Sequence, residues 1–214
     1  KVGSDSIGST FSFYFGHHMT TIEGGMISTN DSDLYDLMKV KRTHGLARVS
    51  SKFDEYVSKN PEIERSFLFI SDGYNCRNTE LAAVLGIRQL KRLDSFIDIR
   101  RKNYKKFVNI YNSKECFHKI TFNEGNSSFC FPFLCKDKDI KSKLLNLFCE
   151  YGIEYRPVVG GNLLKQPYMK GYCVECADEN LTVDILHENC IYIGNNQFIG
   201  NKEIDLIEKV IMEL

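Results

Sequence analysis

The stretch FSFYFGHHMTTIEGG, Phe11–Gly25, decides how the chain is read. The residues entering it, Thr10–Tyr14, alternate and are rich in aromatics, the pattern of a sheet strand. His17 and His18 then stand at a loop tip, and Gly24-Gly25 permit a tight turn after Glu23. GMIST, Gly25–Thr29, reads as the returning strand. The loop thus carries imidazole, the side chain whose charge changes near neutral pH, between two strands.

Outward from this loop, Asn30-Asp31-Ser32 supplies an N-cap for a helix with Leu34, Leu37, Met38 and Lys41 on one face, stopped by Gly45. Residues 46–72 show no clear period and are expected to form a long, partly extended loop. Asn78-Thr79-Glu80 opens a second helix. Its apolar face, Leu81, Val84, Leu85, Leu90 and Leu93, is expected to run on through Phe96, Ile97 and Tyr104. Further along, strands are expected at Lys119–Phe122, Phe129–Cys135, Glu154–Val158 and Ile191–Ile193. Helices are expected at Asp139–Tyr151 and Lys202–Leu214, the latter with Ile204, Ile207, Val210 and Ile211 on one side. Strands alternating with helices indicate an α/β or α+β fold.

The 214 residues suffice for one large or two small domains, and a hydrophobic fraction of 43% supports a buried core. Twenty-eight basic residues balance twenty-eight acidic ones, so charge gives no sign of nucleic acid or membrane partners. No apolar stretch approaches bilayer-spanning length and the start, KVGSDSIGST, lacks an apolar signal core, so a cytoplasmic setting is expected. Most of the eight cysteines sit in apolar contexts as small hydrophobes. Cys173-Val-Glu-Cys176 is an isolated CxxC with no second pair at zinc-finger spacing, so no metal is expected there.

Phe11–Gly25 resembles the loop of the DegT/DnrJ/EryC1/StrS sugar aminotransferases, S-F-[FY]-x-x-K-N-[ILM]-T-T-G-E-G-G, whose lysine holds pyridoxal phosphate (PLP). His17 occupies the lysine position and His18 the asparagine after it. Lysine forms an imine with the cofactor aldehyde and imidazole forms no stable one, so a cofactor here would be held noncovalently, with imidazole as general acid or base beside it. The HH-M-T context, EYRPVVGGNLLKQP (Glu154–Pro167) and LHENCIYIGNNQF (Leu186–Phe198) resemble the family's histidine branch, the 3-dehydratases of nucleotide-linked 4-keto-6-deoxyhexoses. GYNCR (Gly73–Arg77) followed by Thr79-Glu80-Leu81 resembles the family's G-Y-N-x-R-x-T-E-L.

The resemblance implies roles residue by residue. His17 would be the catalytic acid/base, although taken alone a loop histidine reads as a surface residue. Ser12 would donate to the PLP phosphate, the plain alternative being a strand serine bonded to backbone. Asn75 would reach across a dimer interface to the partner's cofactor phosphate, with Arg77 a structural or anionic partner. His44 and Arg48, in RTHGLAR, would face the nucleotide sugar, although a helix-end histidine also caps carbonyls. Glu154 and Arg156, on one face of a strand, would bind sugar hydroxyls and diphosphate, with Asn162 and the Gly194-Asn195-Asn196 turn completing the pocket. Ordinary turn chemistry also explains those Gly and Asn residues.

The fold so implied is the fold type I of PLP-dependent transferases: part of the large cofactor domain over 1–95, then a small α+β domain over 96–214. The chain opens inside the family pattern without a methionine and is expected to be the C-terminal part of a longer, homodimeric enzyme. That enzyme would use PLP and pyridoxamine phosphate, take its amino group from L-glutamate, and remove the C3 hydroxyl of a GDP- or CDP-linked 4-keto-6-deoxyhexose with release of ammonia. Its product, a 3,6-dideoxy sugar nucleotide, would serve surface glycans. An aminotransferase of the same family, or a noncatalytic fragment of either, is the alternative, and this chain by itself is expected to be inactive.

Overall fold

A computed structural model describes residues 3–172 and 181–214. The Cys173/Cys176 pair lies outside the described residues. The chain divides into two compact units, Lys1–Lys91 and Arg92–Leu214.

In the first unit, β1 (Ser9–Ser12) and β2 (Gly25–Ser28) pair antiparallel, with Ser9 opposite Ser28 and Ser12 opposite Gly25. The helix α1 (Ser32–Lys41) starts where Asp31 accepts hydrogen bonds from the N–H groups of Asp33 and Leu34. Its buried residues are Asp36 and Val40, while Leu37, expected on the inner face, is exposed. Segment 46–72 is not a plain loop: it contains α2 (Phe53–Lys59) between two short 3₁₀ turns. No residue of α2 is fully buried, and its apolar face is short: Phe53, Tyr56 and Val57, at i, i+3, i+4, are half-buried.

α3 (Glu80–Leu90) is capped by Thr79, whose hydroxyl accepts from the Ala82 N–H. Its buried residues are the small ones, Ala82 and Gly86, one turn apart. Thr21 and Met19 lie against Gly86, where an added Cβ would come within 3.3 Å of Thr21 Cγ2. The expected apolar face, Leu81, Val84 and Leu85, is exposed instead. Nor does α3 run on: it stops at Leu90, and α4 (Leu93–Asn112) begins after Arg92, whose φ of −106° leaves the helical range.

The second unit builds its core on α4. Tyr104, Phe107, Val108 and Tyr111 follow the i, i+3, i+4, i+7 rule and are all buried. They meet a three-stranded antiparallel sheet of order β3-β5-β4, where β3 is Cys130–Leu134, β4 is Arg156–Pro157 and β5 is Cys190–Gly194. The Phe107 ring stacks on Phe131 at 4.7 Å and Tyr111 on Phe117 at 4.6 Å. α5 (Lys138–Glu150), capped by Asp137, adds Leu144 and Phe148, and α6 (Leu181–Asn189) leads into β5. α7 (Asn201–Met212) buries Ile204, Ile207, Val210 and Ile211 as its periodicity predicts.

The expected strand at Lys119–Phe122 does not form. The Asn112 side chain takes its place, accepting from the Ile120 N–H at 3.0 Å and donating to the Ile120 carbonyl at 2.8 Å. One side-chain amide thereby makes both bonds that a neighbouring strand would have offered.

Candidate functional site

The site residues of the first unit hang on the β1–β2 connection and on the end of α1. The loop is braced from within: Phe13 N–H donates to Gly24 O, Thr21 N–H and Thr20 Oγ1 to Phe13 O, and His17 N–H to Tyr14 O. Thr20 Oγ1 in turn accepts from Ile22 N–H, beside the left-handed Ile22 at φ 75°. These bonds make a rigid connection with the His17 imidazole exposed at its tip, the Tyr14 ring edge-on to it at 6.2 Å. Ser12, also exposed, accepts from the Tyr14 N–H at 3.3 Å. That bond uses an oxygen lone pair and leaves the hydroxyl proton for an acceptor outside the loop.

Asn75 is delivered by backbone. Tyr74 N–H donates to Lys41 O at 2.6 Å and Cys76 N–H to Arg42 O at 3.1 Å, satisfying carbonyls that the end of α1 leaves open. His44 N–H donates back to Tyr74 O, and Thr43 bridges Asn75. The crossing is so close that only glycine fits: a Cβ on Gly45 (φ 84°) would sit 1.8 Å from Ser71 O, and one on Gly73 would sit 2.2 Å from Gly45 N. His44 is itself left-handed at φ 60° and its imidazole is exposed, so its observed part in this clasp is played by its backbone. Arg48 lies exposed in the following 3₁₀ turn.

Beside these residues runs a groove of about 1040 Å³ lined by Phe11, Ile22, Met26, Ile27, Leu81 and Leu85 among others, with Arg42 and Arg77 on it. It is an open apolar face: Leu81 is 79% exposed, Ile22 64% and Ile27 54%. Of these residues, Leu81 and Leu85 were expected on the apolar face of a helix, and both are exposed.

In the second unit, Glu154 and Arg156 are both exposed beside the short strand β4, where Arg156 pairs with Tyr192 of β5. Asn162 is buried and its amide works inside the fold: Nδ2 donates to Asp184 at 2.9 Å and Oδ1 accepts from Leu164 N–H at 3.0 Å. Its N–H donates to His187 Nδ1, which fixes that ring as acceptor on this side. The turn holding it is further tied by Lys165, paired to Asp184 at 2.8 Å and lying 3.8 Å from Glu188. Lys165 first, and then the Asn162 amide, hold the Asp184 carboxyl below its ordinary range. His187 and Asp184 were missed in the sequence because only the folded turn brings them to Asn162, more than twenty residues away.

Within the Gly194-Asn195-Asn196 turn, the expectation for Asn195 is corrected. Asn195 is fully buried and its amide donates to the carbonyls of Arg100 and Ser128, so it faces the core and no sugar pocket. Asn196 Oδ1 accepts from the Phe198 N–H as in an ordinary turn.

Residues 1–211 match the DegT/DnrJ/EryC1/StrS aminotransferase family. The chain belongs to that family. A relative from Yersinia pseudotuberculosis, a GDP-4-keto-6-deoxy-D-mannose 3-dehydratase, is 34% identical over 216 residues, covering 98% of this chain and 53% of its own length. The Escherichia coli GDP-4-keto-6-deoxy-D-mannose-3-dehydratase, solved with bound hydrated PLP, superposes with a TM-score of 0.86 at 32% identity, over 99% of this chain and 56% of that one. A GDP-4-keto-6-deoxymannose-3-dehydratase with a trapped PLP–glutamate geminal diamine gives 0.85 at 30% identity, over 99% and 56%. The fold is thus part of the fold type I of PLP-dependent aminotransferases, and the chain spans about half the length of the relatives it matches. Among the described residues no helix is long and apolar enough to cross a membrane.

Proposed function

We propose that this chain is the C-terminal half of a PLP- and pyridoxamine-phosphate-dependent 3-dehydratase acting on a GDP-linked 4-keto-6-deoxyhexose. The observation that carries the reading is the residue at the tip of the β1–β2 loop: an exposed imidazole, His17, where the family's aminotransferases carry lysine. The relatives matched over nearly the whole chain, named for this dehydration, support the same choice.

The residues present suit a phosphate-bearing cofactor. Ser12 has a hydroxyl proton to give, and Asn75 presents its amide at a fixed backbone position. When bound, the cofactor would supply the amine, drawn from L-glutamate, that engages the sugar ketone, and a ring that takes up electrons. The chain's own task is binding, orientation and proton transfer. His17 would accept a proton beside the cofactor and return one to the departing C3 hydroxyl, the general acid–base work for which imidazole is most often used. In the second unit Glu154 would hold sugar hydroxyls and Arg156 the diphosphate, for which a guanidinium fork is the fitting partner; in the first unit Arg48 offers the same fork to a phosphate. His44 would face the nucleotide sugar from the first unit, and Asn162 would shape the sugar pocket of Glu154 and Arg156 through the turn it caps.

The apolar groove of the first unit belongs to this reading. Its exposed side chains would be covered by the other half of the polypeptide, in a homodimer working in the cytoplasm and feeding surface-glycan synthesis.

The test is direct. The full-length protein is supplied with PLP, glutamate and GDP-4-keto-6-deoxymannose, the sugar product is weighed by mass spectrometry, and ammonia is assayed. A 3-deoxygenated ketosugar with ammonia is expected. An amino sugar without ammonia would return the protein to the aminotransferases.

A further inference from the structure

The clasp on α1 fixes the backbone of Asn75 and leaves one freedom, the direction of its amide. Arg77 removes it. Arg77 Nε–H lies 3.2 Å from Asn75 Oδ1, and a guanidinium carries donors only, so it can face the oxygen of the amide and never its nitrogen. Amide orientation, ordinarily ambiguous, is therefore determined here by chemistry. The Asn75 NH2 is turned away from Arg77 and makes no hydrogen bond among the described residues, so it offers two donors outward.

We propose that Arg77 is a positioning residue: it pre-sets Asn75 as a donor, and so makes this position select an acceptor-rich group such as a phosphate. Without Arg77 the amide is free to present its oxygen, which repels an anion. This inference rests on the reading of Asn75 as a phosphate ligand. It adds that the ligand's recognition is divided between two residues, one that touches and one that aims. Because Asn75 and Arg77 are both exposed, neither change threatens the fold.

The test is equilibrium binding of pyridoxal phosphate, with pyridoxal as the phosphate-free control, to full-length protein carrying Arg77→Gln, Arg77→Lys, Asn75→Ala and the double change Asn75→Ala/Arg77→Gln. Losing one such hydrogen bond weakens affinity roughly three- to ten-fold, so that is the expected effect of Arg77→Gln on pyridoxal phosphate, with pyridoxal unaffected. Arg77→Lys, which keeps a donor-only head, restores most of the loss. The deciding comparison is the double variant, in which Arg77→Gln has no further effect once Asn75 is gone. If Arg77→Gln still weakens binding in the Asn75→Ala background, Arg77 acts on the anion directly and the positioning role is wrong. If Asn75→Ala weakens binding and Arg77→Gln does not, the positioning role fails while the ligand reading stands. If Asn75→Ala itself leaves pyridoxal phosphate binding unchanged, the ligand reading falls and the inference with it.

Discussion

Arg100 and Asn195 bind each other's main chain: the Arg100 guanidinium donates to the Asn195 carbonyl, and the Asn195 amide donates to the Arg100 carbonyl at 3.1 Å. Both side chains are buried, and among the described residues the Arg100 guanidinium makes no salt bridge to a carboxylate. Its other partner is the Gln197 side-chain oxygen at 3.1 Å, and burial pushes the guanidinium pKa down. The exchange joins α4 to the end of β5, so two segments 95 residues apart are held by polar bonds beside an apolar core.

Asn195→Ala should therefore be among the most damaging single changes in the second unit. It strands the Ser128 carbonyl in a buried site, at about 1–3 kcal/mol, and takes a second donor from the Arg100 carbonyl, which keeps its place in the α4 helix. Urea denaturation of the Asn195→Ala variant, compared with Arg100→Met and with the double change, measures this. A non-additive double mutant is expected, since the two bonds tie the same two backbone segments and each holds the other's acceptor in place. Additive effects would mean that the reciprocal bonds contribute nothing jointly.

The low-pH behaviour of the first unit should centre on Asp36. Its carboxylate accepts from Ser50 Oγ at 2.5 Å and from Ser51 N–H at 2.7 Å, and these two donors, Ser50 first, hold it below its ordinary range. The folded form thus binds the proton less readily than the unfolded form. The resulting stability is present above the unfolded pKa of about 3.9 and is lost as pH falls through the lower folded value. Asp36→Asn should cost about 1.5–3 kcal/mol at pH 7, the range for a charged hydrogen bond. Its deficit against the parent should shrink below pH 4, as chemical denaturation across pH 3–7 would reveal; a constant deficit would remove the carboxylate from the explanation.

What could be read from the sequence follows how local each force is. The α7 stripe of Ile204, Ile207, Val210 and Ile211 was legible because a 3.6-residue period survives folding unchanged. The β1–β2 pair and the Asp31 and Thr79 caps were legible for the same reason, each being decided within a few residues. α2 was missed because its seven residues carry only one short apolar repeat, Phe53, Tyr56 and Val57, and the Lys119–Phe122 strand was wrongly expected because Asn112 could not be foreseen as its surrogate. At the site, the loop bearing His17 was visible as a local pattern. The Gly45–Gly73 crossing, the Arg100–Asn195 exchange and the His187–Asn162 bond were not, since polar pairs distant in sequence leave no periodic trace.

His17 should govern turnover more than cofactor retention. General acid–base groups contribute about 10²–10⁴-fold, so His17→Asn in the full-length protein should lower kcat by that factor with pyridoxal phosphate affinity little changed. His17→Lys should instead make the cofactor trappable by borohydride, seen as a mass increase on the protein. Turnover of His17→Asn within ten-fold of the parent would deny the imidazole its proton-transfer role.

Leu81 separates what this chain needs for itself from what it needs for assembly. On α3 it is 79% exposed, whereas the burial of that helix rests on Ala82 and Gly86. Leu81→Glu should leave the thermal unfolding of the 214-residue chain within about 0.5 kcal/mol of the parent, as surface changes do. In the full-length protein the same change should place a carboxylate in an apolar contact and remove a leucine whose burial is worth about 1.5–3 kcal/mol, so the loss there should be several times larger. Gly86→Leu gives the opposite pattern, harming even the short chain because its side chain would meet Thr21. Equal effects of Leu81→Glu in both contexts would show that the apolar face stays open in the whole protein.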